Sequence, residues 1–202
     1  ITPADIKYAR ELGYVIKLLA IAKEDEEGRI QARVHPAFLP LNHPLAFVND
    51  VFNAVFVRGD AVGDIMHYGR GAGKMPTASA VVGDIIEIGR NLLNQSNARI
   101  GCTCYENKTI LGIQELQAKY YVRMTVEDRP GVLAGIAGVF GNNRVSIASV
   151  LQKTSEAGMA ELILITHKVR EQDLRDSLTV LKGMSIVGAI DNVIRLEGSE
   201  AE

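Results

Sequence analysis

The strongest constraint on the fold is a regular alternation of strand and helix patterns in residues 119–197 of this 202-residue chain. KYYVRMTVED alternates apolar and polar side chains as a strand does, and RPGVLAGIAGVFGNN follows as a turn and a helix. RVSIASVLQKT and GMAELILITHK continue as strands, REQDLRDSLTVLKG as a helix and MSIVGAIDNVIRLE as one or two last strands. This order is ferredoxin-like, with two helices on one face of a four-stranded antiparallel sheet. We therefore predict an α+β domain that can fold by itself.

Residues 1–97 carry a second set of helix and strand signals. TPADIKYARELG predicts a helix over residues 2–13, capped by Thr2, with Pro3 in its first turn and Gly13 at its end. The predicted inner face of this helix consists of Ile6, Ala9 and Leu12. Two hairpins should follow, turning at KEDEEG and at RGD, with one helical turn in LNHPLAFV between them. Such short turns predict a largely antiparallel sheet with helices on one face. Residues 98–118 show no clear period and are predicted to be a linker with room for a short strand.

The stretch GRGAGKMPTASAVVGD, residues 69–84, joins the second hairpin to another helix. Gly69, Gly71 and Gly73 are spaced G-x-G-x-G, whereas the dinucleotide-binding fingerprint is G-x-G-x-x-G at the start of a βαβ unit. Because this loop follows an antiparallel hairpin, we do not expect it to cradle a pyrophosphate. Its glycines still let backbone approach a flat ring or a ribose closely.

Two interpretations of this loop remain open. In the first, Thr77 and Ser79 donate hydrogen bonds to a ligand. In the second, the loop is only a tight turn, and the helix packs closely through the small residues Ala78, Ser79 and Ala80. Beyond the loop, apolar residues recur at steps of four, three and four, which predicts an amphipathic helix buried on one side. These apolar positions are Val81, Ile85, Ile88 and Leu92.

A second candidate site lies in DRPGVLAGIA, where Asp128 to Gly131 form a tight strand-to-helix turn. Pro130 sets one backbone torsion, and Gly131 admits another backbone or a ligand. The first N–H groups of the following helix suit a small carboxylate. Ser146 and Gln152 on the next strand are candidates for the ligand's other polar groups. The alternative is a well-made turn without a ligand.

Composition argues against several function classes. A net charge of −2 argues against a sequence-independent nucleic-acid binder. No apolar run approaches the roughly 20 residues of a membrane span, and no signal peptide is recognisable. Cys102-x-Cys104 offers too few ligands for a metal and predicts free thiols in a reducing cytoplasm. The four histidines lack metal-ligand spacing and are predicted to be structural or on the surface: His35, His43, His67 and His167.

Residues 119–197 resemble an ACT domain, the amino-acid-binding regulatory module of many biosynthetic enzymes. The resemblance rests on VEDRPGVLAGIAGVFGNNRVSIASVLQK, including the glycine at the strand–helix turn and the VSI strand. It implies that an amino acid binds at residues 128–134, usually at an interface between two copies of the module. The effector-binding residues expected on this basis are Asp128, Arg129, Gly131, Val132, Leu133, Ala134, Ser146 and Gln152.

Three stretches over residues 1–95 together resemble the later part of the substrate domain of homoserine dehydrogenase: DIKYARELGYVIKLLAIA, VHPAFLPLNHPLAFVNDVFNAVFV and YGRGAGKMPTASAVVGDI. A C-terminal ACT domain is the expected neighbour in many bacterial members. The resemblance implies interconversion of aspartate semialdehyde and homoserine with NADP or NAD, on the path to threonine, methionine and isoleucine. Threonine is the usual feedback inhibitor. The residues implied to lie against the nicotinamide side of the cofactor are Gly69, Gly71, Ala72 and Gly73.

The resemblance leaves the family's cofactor-binding domain and catalytic lysine upstream of Ile1. Lys7, Lys17 and Lys74 do not match the motif of that lysine, so no catalytic residue is predicted here. We expect this chain alone to be inactive and not to bind the cofactor tightly. We also expect a cytoplasmic homodimer or larger assembly, with no nucleic-acid or membrane partner. The alternative is a non-catalytic module of another biosynthetic enzyme that binds an amino acid and dimerises.

Overall fold

The computed structural model describes residues 1–96, 105–154 and 158–198. Backbone contacts divide the chain into two compact units. The first unit combines Ile1–Leu41 with Lys108–Glu202, and the second is Asn42–Asn107.

Within the described residues the chain forms four α-helices, nine strands and two short 3-10 turns. In chain order these are α1 (Pro3–Glu11), β1 (Tyr14–Glu24), β2 (Ile30–Pro40), a 3-10 turn (Pro44–Phe47), β3 (Phe52–Gly59), β4 (Gly63–Arg70), α2 (Lys74–Leu93), a 3-10 turn (Ile113–Glu115), β5 (Gln117–Glu127), α3 (Val132–Asn142), β6 (Ile147–Thr154), β7 (Met159–Thr166), β8 (Val169–Arg170), α4 (Glu171–Lys182) and β9 (Val187–Leu196).

Helix α1 begins where its sequence signals place it. Thr2 and Asp5 form a capping box, in which the Thr2 N–H donates to Asp5 Oδ2 at 2.7 Å and the Asp5 N–H donates to Thr2 Oγ1 at 3.4 Å. The predicted inner face is partly wrong, because Ile6 is 44% exposed. Of the predicted positions Ala9 is buried, and the other buried residues of the helix are Asp5 and Tyr8.

The first unit is built on a seven-stranded sheet in the order β1-β2-β9-β5-β7-β6, with β8 paired to β5 beside this path. Its pairs are antiparallel, with the exception of β2 and β9. That parallel pair joins only Ala37 to Arg195 and Phe38 to Leu196. The single sheet predicted from the four N-terminal strands is therefore wrong, because the first hairpin extends the C-terminal sheet and the second forms a sheet of its own. The domain boundaries at residues 97 and 119 stay a prediction.

Strands and helices β5-α3-β6-β7-α4-β9 confirm the ferredoxin-like plan. Helices α3 and α4 cover one face of the sheet, where Phe140 and Leu181 pack into one core with Val122 of β5. Helix α1 covers the other face, where Tyr8 packs with Tyr121 of β5. Because side chains alternate along a strand, β5 contacts a different helical layer with each successive residue.

The second unit contains a β-hairpin and helix α2. Strands β3 and β4 pair from Phe52 and Arg70 to Gly59 and Gly63, as the RGD turn predicts. The rings of Phe52 and Tyr68 stack with their centroids 4.8 Å apart. The predicted helical turn before this hairpin is present as the first 3-10 turn.

Helix α2 is amphipathic as predicted, but its predicted burial is wrong. No side chain of α2 is buried in this structure. Val81 is 52% exposed and Leu92 is 74% exposed, although both lie on the apolar side. An apolar stripe indicates which side of a helix is suited to burial. It does not show what buries that side, and no described residue buries it here.

The predicted linker lies partly outside the described residues, and Cys102 and Cys104 lie outside them too. Between residue 105 and the start of β5 at Gln117 the backbone is largely irregular, apart from the second 3-10 turn. Its only short-strand feature among the described residues is a parallel bridge between Ile30 and Ile110, where the Leu111 N–H donates to the Ile30 carbonyl at 2.8 Å.

Candidate functional site

The glycine loop follows β4 in the second unit and leads into α2. The Gly71 N–H donates to the Val51 carbonyl at 3.4 Å, and a Cβ at position 71 would lie 1.6 Å from Nδ2 of Asn53. Gly73 caps α2 with a φ of 123°, which side chains of L-residues rarely adopt. A Cβ added to Gly69 would have no neighbour within 4 Å. Gly73 is thus required by its backbone torsion, and Gly71 lies directly against the Asn53 side chain, as the tight-turn interpretation expects.

The same loop presents backbone groups to solvent. Ala72, Thr77 and Ser79 are exposed, and α2 begins with no side-chain cap and no acidic residue in its first turn. The first N–H groups of a helix have no partner within the helix. The small residues at positions 78–80 are exposed as well, so the structure shows no close helix packing there. The loop therefore offers backbone donors and two hydroxyl groups on an open surface.

The second candidate site is the turn after β5 in the first unit. The Asp128 N–H donates to the Gly158 carbonyl at 2.9 Å, and Arg129 Nε donates to Glu127 Oε2 at 2.5 Å. Gly131 caps α3 with a φ of 89°, and an added Cβ there would meet no atom within 4 Å. Position 131 therefore needs glycine for its torsion, and the space beside it is open.

The first turn of α3 divides the predicted effector residues into two groups. Val132 belongs to the hydrophobic core, and its N–H donates to the Arg129 carbonyl at 3.4 Å. Leu133 and Ala134 are exposed, and no side chain caps this end of the helix. Leu133 and Ala134 therefore lie at the exposed start of α3, whereas the Val132 side chain lies in the core.

Strand β6 brings one of its two predicted residues to this turn. Gln152 Nε2 donates to Asp128 Oδ1 at 3.3 Å, so Gln152 lies beside the turn. Ser146 stands before β6, and its carbonyl accepts from the His167 N–H at 2.8 Å. Six residues of extended chain separate Ser146 from Gln152, a distance of about 20 Å. The structure therefore does not bring Ser146 to the turn of its own chain, since β6 starts at the far end of α3.

A buried polar cluster between α1 and the sheet is absent from the sequence-based predictions. Asp5 is fully buried. Its Oδ1 accepts from Arg123 Nε at 2.8 Å and from the Tyr121 hydroxyl at 3.3 Å. Its Oδ2 accepts from Asn192 Nδ2 and from the Thr2 N–H, both at 2.7 Å. An arginine at an inward position of the strand YYVRMTV is the sequence signal that indicates such a cluster.

Electrostatics favour the charged form of this buried carboxyl. Burial by itself would raise the pKa of Asp5, but hydrogen bonds from Thr2, Asn192 and Arg123 outweigh it and lower the pKa to about 2. Burial by itself would lower the pKa of the Arg123 guanidinium, but its hydrogen bonds to Asp5 and Glu161 outweigh this effect and raise it. Asp5 and Arg123 are therefore an ionised pair at neutral pH.

Histidines and acidic groups form no metal centre in the described part of the chain. Burial lowers the pKa of His35, whose Nε2 accepts from Arg33 Nε at 3.2 Å. His43 Nδ1 accepts from the Leu45 N–H at 3.2 Å at the start of the first 3-10 turn. His67 and His167 lie on the surface. None of the helices in the described residues is both long and apolar enough to cross a membrane.

Comparison with known proteins gives two family matches in consecutive segments. Residues 1–86 match the family described as homoserine dehydrogenase. Residues 120–184 match the family described as the ACT domain.

Individual relatives cover nearly the whole chain. A homoserine dehydrogenase of Corynebacterium glutamicum is 44% identical over 98% of this chain and 45% of its own length. One of Synechocystis is 42% identical over 97% of this chain and 47% of its own length. The crystal structure of a homoserine dehydrogenase from Thiobacillus denitrificans matches with a TM-score of 0.88 and 36% identity, over 98% of this chain and 46% of that one. The chain thus spans about half the length of the relatives that it matches.

Proposed function

The chain belongs to the homoserine dehydrogenases, as their C-terminal region with an ACT domain, and from this premise we propose that its ACT domain binds threonine and regulates the parent enzyme. The parent reaction is interconversion of aspartate semialdehyde and homoserine with NADP or NAD. The family match over residues 1–86 disfavours the alternative of an unrelated amino-acid-binding module.

The observation that carries the regulatory proposal is the open turn at Gly131. Its backbone has a positive φ, no atom lies within 4 Å of an added Cβ, and α3 begins there without a side-chain cap. A ligand carboxylate would accept from the N–H groups of Leu133 and Ala134. Gln152 beside Asp128 would hold the ligand's other polar groups.

The free energy of binding has to come from several contacts. A helix terminus contributes about 0.3–1 kcal/mol to an anion, and up to about 2 kcal/mol when the site is partly buried. A dissociation constant of about 0.1–1 mM needs roughly 4–5.5 kcal/mol. The ammonium and hydroxyl groups of threonine therefore need partners. Asp128 and Gln152, which are hydrogen-bonded to each other at the turn, supply an acceptor and an amide.

Calorimetric titration with threonine tests this site. Gly131→Val should nearly abolish binding, because a β-branched residue cannot adopt the native φ and fills the carboxylate position. Gln152→Ala should weaken binding by roughly threefold to tenfold, the cost of one hydrogen bond. Gly138→Val is the matched control, since Gly138 lies in the same helix with open space around it and no positive φ.

Circular dichroism confirms that each variant is folded before titration. Unchanged threonine affinity in folded Gly131→Val would move the site elsewhere. No heat with threonine, isoleucine, methionine or lysine would contradict amino-acid binding by this chain.

The glycine loop is the second part of the proposal. Gly69, Gly71, Ala72 and Gly73 would approach the nicotinamide side of a cofactor held by the rest of the parent enzyme. The loop offers backbone donors but no cradle for a pyrophosphate, so this chain alone should neither bind the cofactor tightly nor oxidise homoserine. Turnover by the isolated chain above that of a heat-killed control would refute this expectation.

A further inference from the structure

Strand β5 connects the candidate effector turn with the buried polar cluster under α1. Arg123 lies on β5 and contacts α1, and β5 ends at Glu127, immediately before Asp128. Between them, Met124 and Val126 face the core under α3 and α4. A displacement of the turn along β5 therefore reaches Arg123 through a few residues of one strand.

Arg123 holds three strands and α1 together. Its Nη1 donates to Glu161 on β7 at 2.9 Å and lies 3.8 Å from Asp191 Oδ2 on β9. Its Nη2 donates to the hydroxyl of Thr2 at 3.3 Å, and its Nε donates to Asp5. The Tyr8 hydroxyl of α1 donates to Glu161 as well. A shift of Arg123 therefore changes contacts at both the first and the second turn of α1.

The carboxylate of Asp5 makes this connection stiff. It accepts from α1's own cap residue and from side chains of β5 and β9, and it has no exposed surface. Taking one partner from a buried charge costs far more than the pair contributes to stability. Helix α1 and the sheet therefore move together or lose a buried ion pair.

The ladder between the cluster and the turn is irregular. The register of β5 against β9 shifts between Arg123 and Met124 and again between Thr125 and Val126. Asp191 lies in the first irregularity and accepts from the Thr125 hydroxyl at 2.9 Å. Such irregularities disrupt the ladder locally and bend the strand, and here they are confined to the β9 side of β5, since its pairing with β7 is regular over the same residues.

We propose that the Asp5–Arg123 pair transmits amino-acid occupancy at the turn 128–134 to helix α1, which makes α1 the output element of the ACT domain. Asp5 and Arg123 act as positioning residues, because neither lies at the turn. The inference rests on the proposed function, since it requires a ligand at that turn.

Hydrogen–deuterium exchange with and without threonine tests the relay on the chain as it stands. In the wild-type protein, saturating threonine should slow exchange in residues 128–134 and also in residues 3–11, the latter by about fivefold or more, as expected for an allosteric coupling. In Arg123→Met the turn should still be protected, while the response of α1 falls below about twofold. The double variant Asp5→Asn/Arg123→Met removes both charges and leaves no unpaired buried charge. It should show the same pattern as Arg123→Met, with a protected turn and a weak response of α1. It replaces the single variant if Arg123→Met does not fold.

Arg195→Met is the matched control. Arg195 lies on β9 in a second buried cluster, where its Nη2 donates to Glu171 at 2.6 Å. This variant loses a partly buried, ion-paired arginine of the same sheet whose hydrogen bonds do not involve α1, so the response of α1 should survive.

Three other outcomes would overturn the relay. Protection confined to the turn in wild type, or an α1 response retained in the double variant, would refute the relay and leave the proposed function standing. Absence of protection at both segments, together with no calorimetric heat, would refute amino-acid binding and the relay with it.

Discussion

Two glycines show how differently a single residue can be constrained. Gly71 has an ordinary φ but no room, because Asn53 occupies the position of its missing side chain. Gly131 has room, but its φ of 89° is one that side chains of L-residues rarely adopt. The first glycine serves packing against a neighbouring side chain, and the second serves the backbone path from β5 into α3.

The constraint at Gly71 predicts a stability loss that a second substitution relieves. Gly71→Ala should lower the free energy of unfolding by up to about 1 kcal/mol, because the exposed Asn53 side chain has to rotate away from the new methyl group. Truncation by Asn53→Ala removes that amide and should restore part of the loss in the double variant. Gly69→Ala is the control, since nothing lies within 4 Å of its added Cβ. Thermal unfolding followed by circular dichroism measures wild type, the three single variants and the double variant, and equal melting temperatures for Gly71→Ala and Gly69→Ala would contradict the overlap.

At the scale of elements, α1 owes its position to polar contacts as much as to apolar packing. Tyr8 and Ala9 pack on the sheet, but the buried first turn is held through Asp5. Lys153 of β6 donates to Glu11 at 2.6 Å and secures the other end of the helix. A helix attached in this way depends on the charge state of its contacts.

The charge state of Asp5 predicts a pH dependence. Its pKa is lowered to about 2 in the folded chain, so the contribution to stability is present above the ordinary value of 3.8 and is lost as the pH falls through about 2. The shift corresponds to roughly 2 kcal/mol. Asp5→Asn should be less stable than wild type at pH 7, and the gap should close between pH 4 and pH 2.

Urea unfolding at a series of pH values measures this gap. Asp60→Asn in the exposed hairpin turn should follow the wild-type curve. A gap between wild type and Asp5→Asn that stays constant down to pH 2 would show that the ionised carboxylate does not hold α1.

At the scale of the whole molecule, the sheet of the first unit ends in two open strands. Strand β6 forms one edge and β1 the other. Open edges pair readily with another chain, and ACT domains generally oligomerise. Val150 on β6 is 42% exposed, which leaves an apolar side chain at the edge nearest the candidate effector turn.

We expect a homodimer that pairs through the β6 edge. Light scattering should give twice the chain mass of 21.9 kDa. Val150→Lys should shift the mass toward one chain, because charged side chains block edge pairing. Val180→Lys, at a valine of α4 that is 50% exposed, should leave the dimer intact. A wild-type mass of one chain at micromolar concentration would refute the dimer, and a dimeric Val150→Lys would move the interface elsewhere.

The sequence by itself determined the features that depend on neighbours along the chain. The capping box of α1, the hairpin turns, the order of the ferredoxin-like domain and the presence of an amphipathic helix after the glycine loop follow from turn chemistry and from the period of apolar residues. Gly131 could also be assigned to a tight turn, because the residues on either side end a strand and begin a helix. Both family resemblances were readable for the same reason, since their motifs are continuous stretches.

Tertiary structure alone decided which surfaces meet. The first hairpin joins the C-terminal sheet through two residue pairs, at Ala37 and Phe38. A local sequence pattern does not determine which sheet edge a strand pairs with. Ser146 and Gln152 were both plausible from their strand, but the direction of β6 leaves only Gln152 at the turn. Asp5 and Arg123 are 118 positions apart in sequence, so their pairing became visible only when α1 lay on the sheet. The physical reason is common to all three cases: periodicity encodes which side of an element is to be buried, whereas the partner that buries it depends on how distant segments pack.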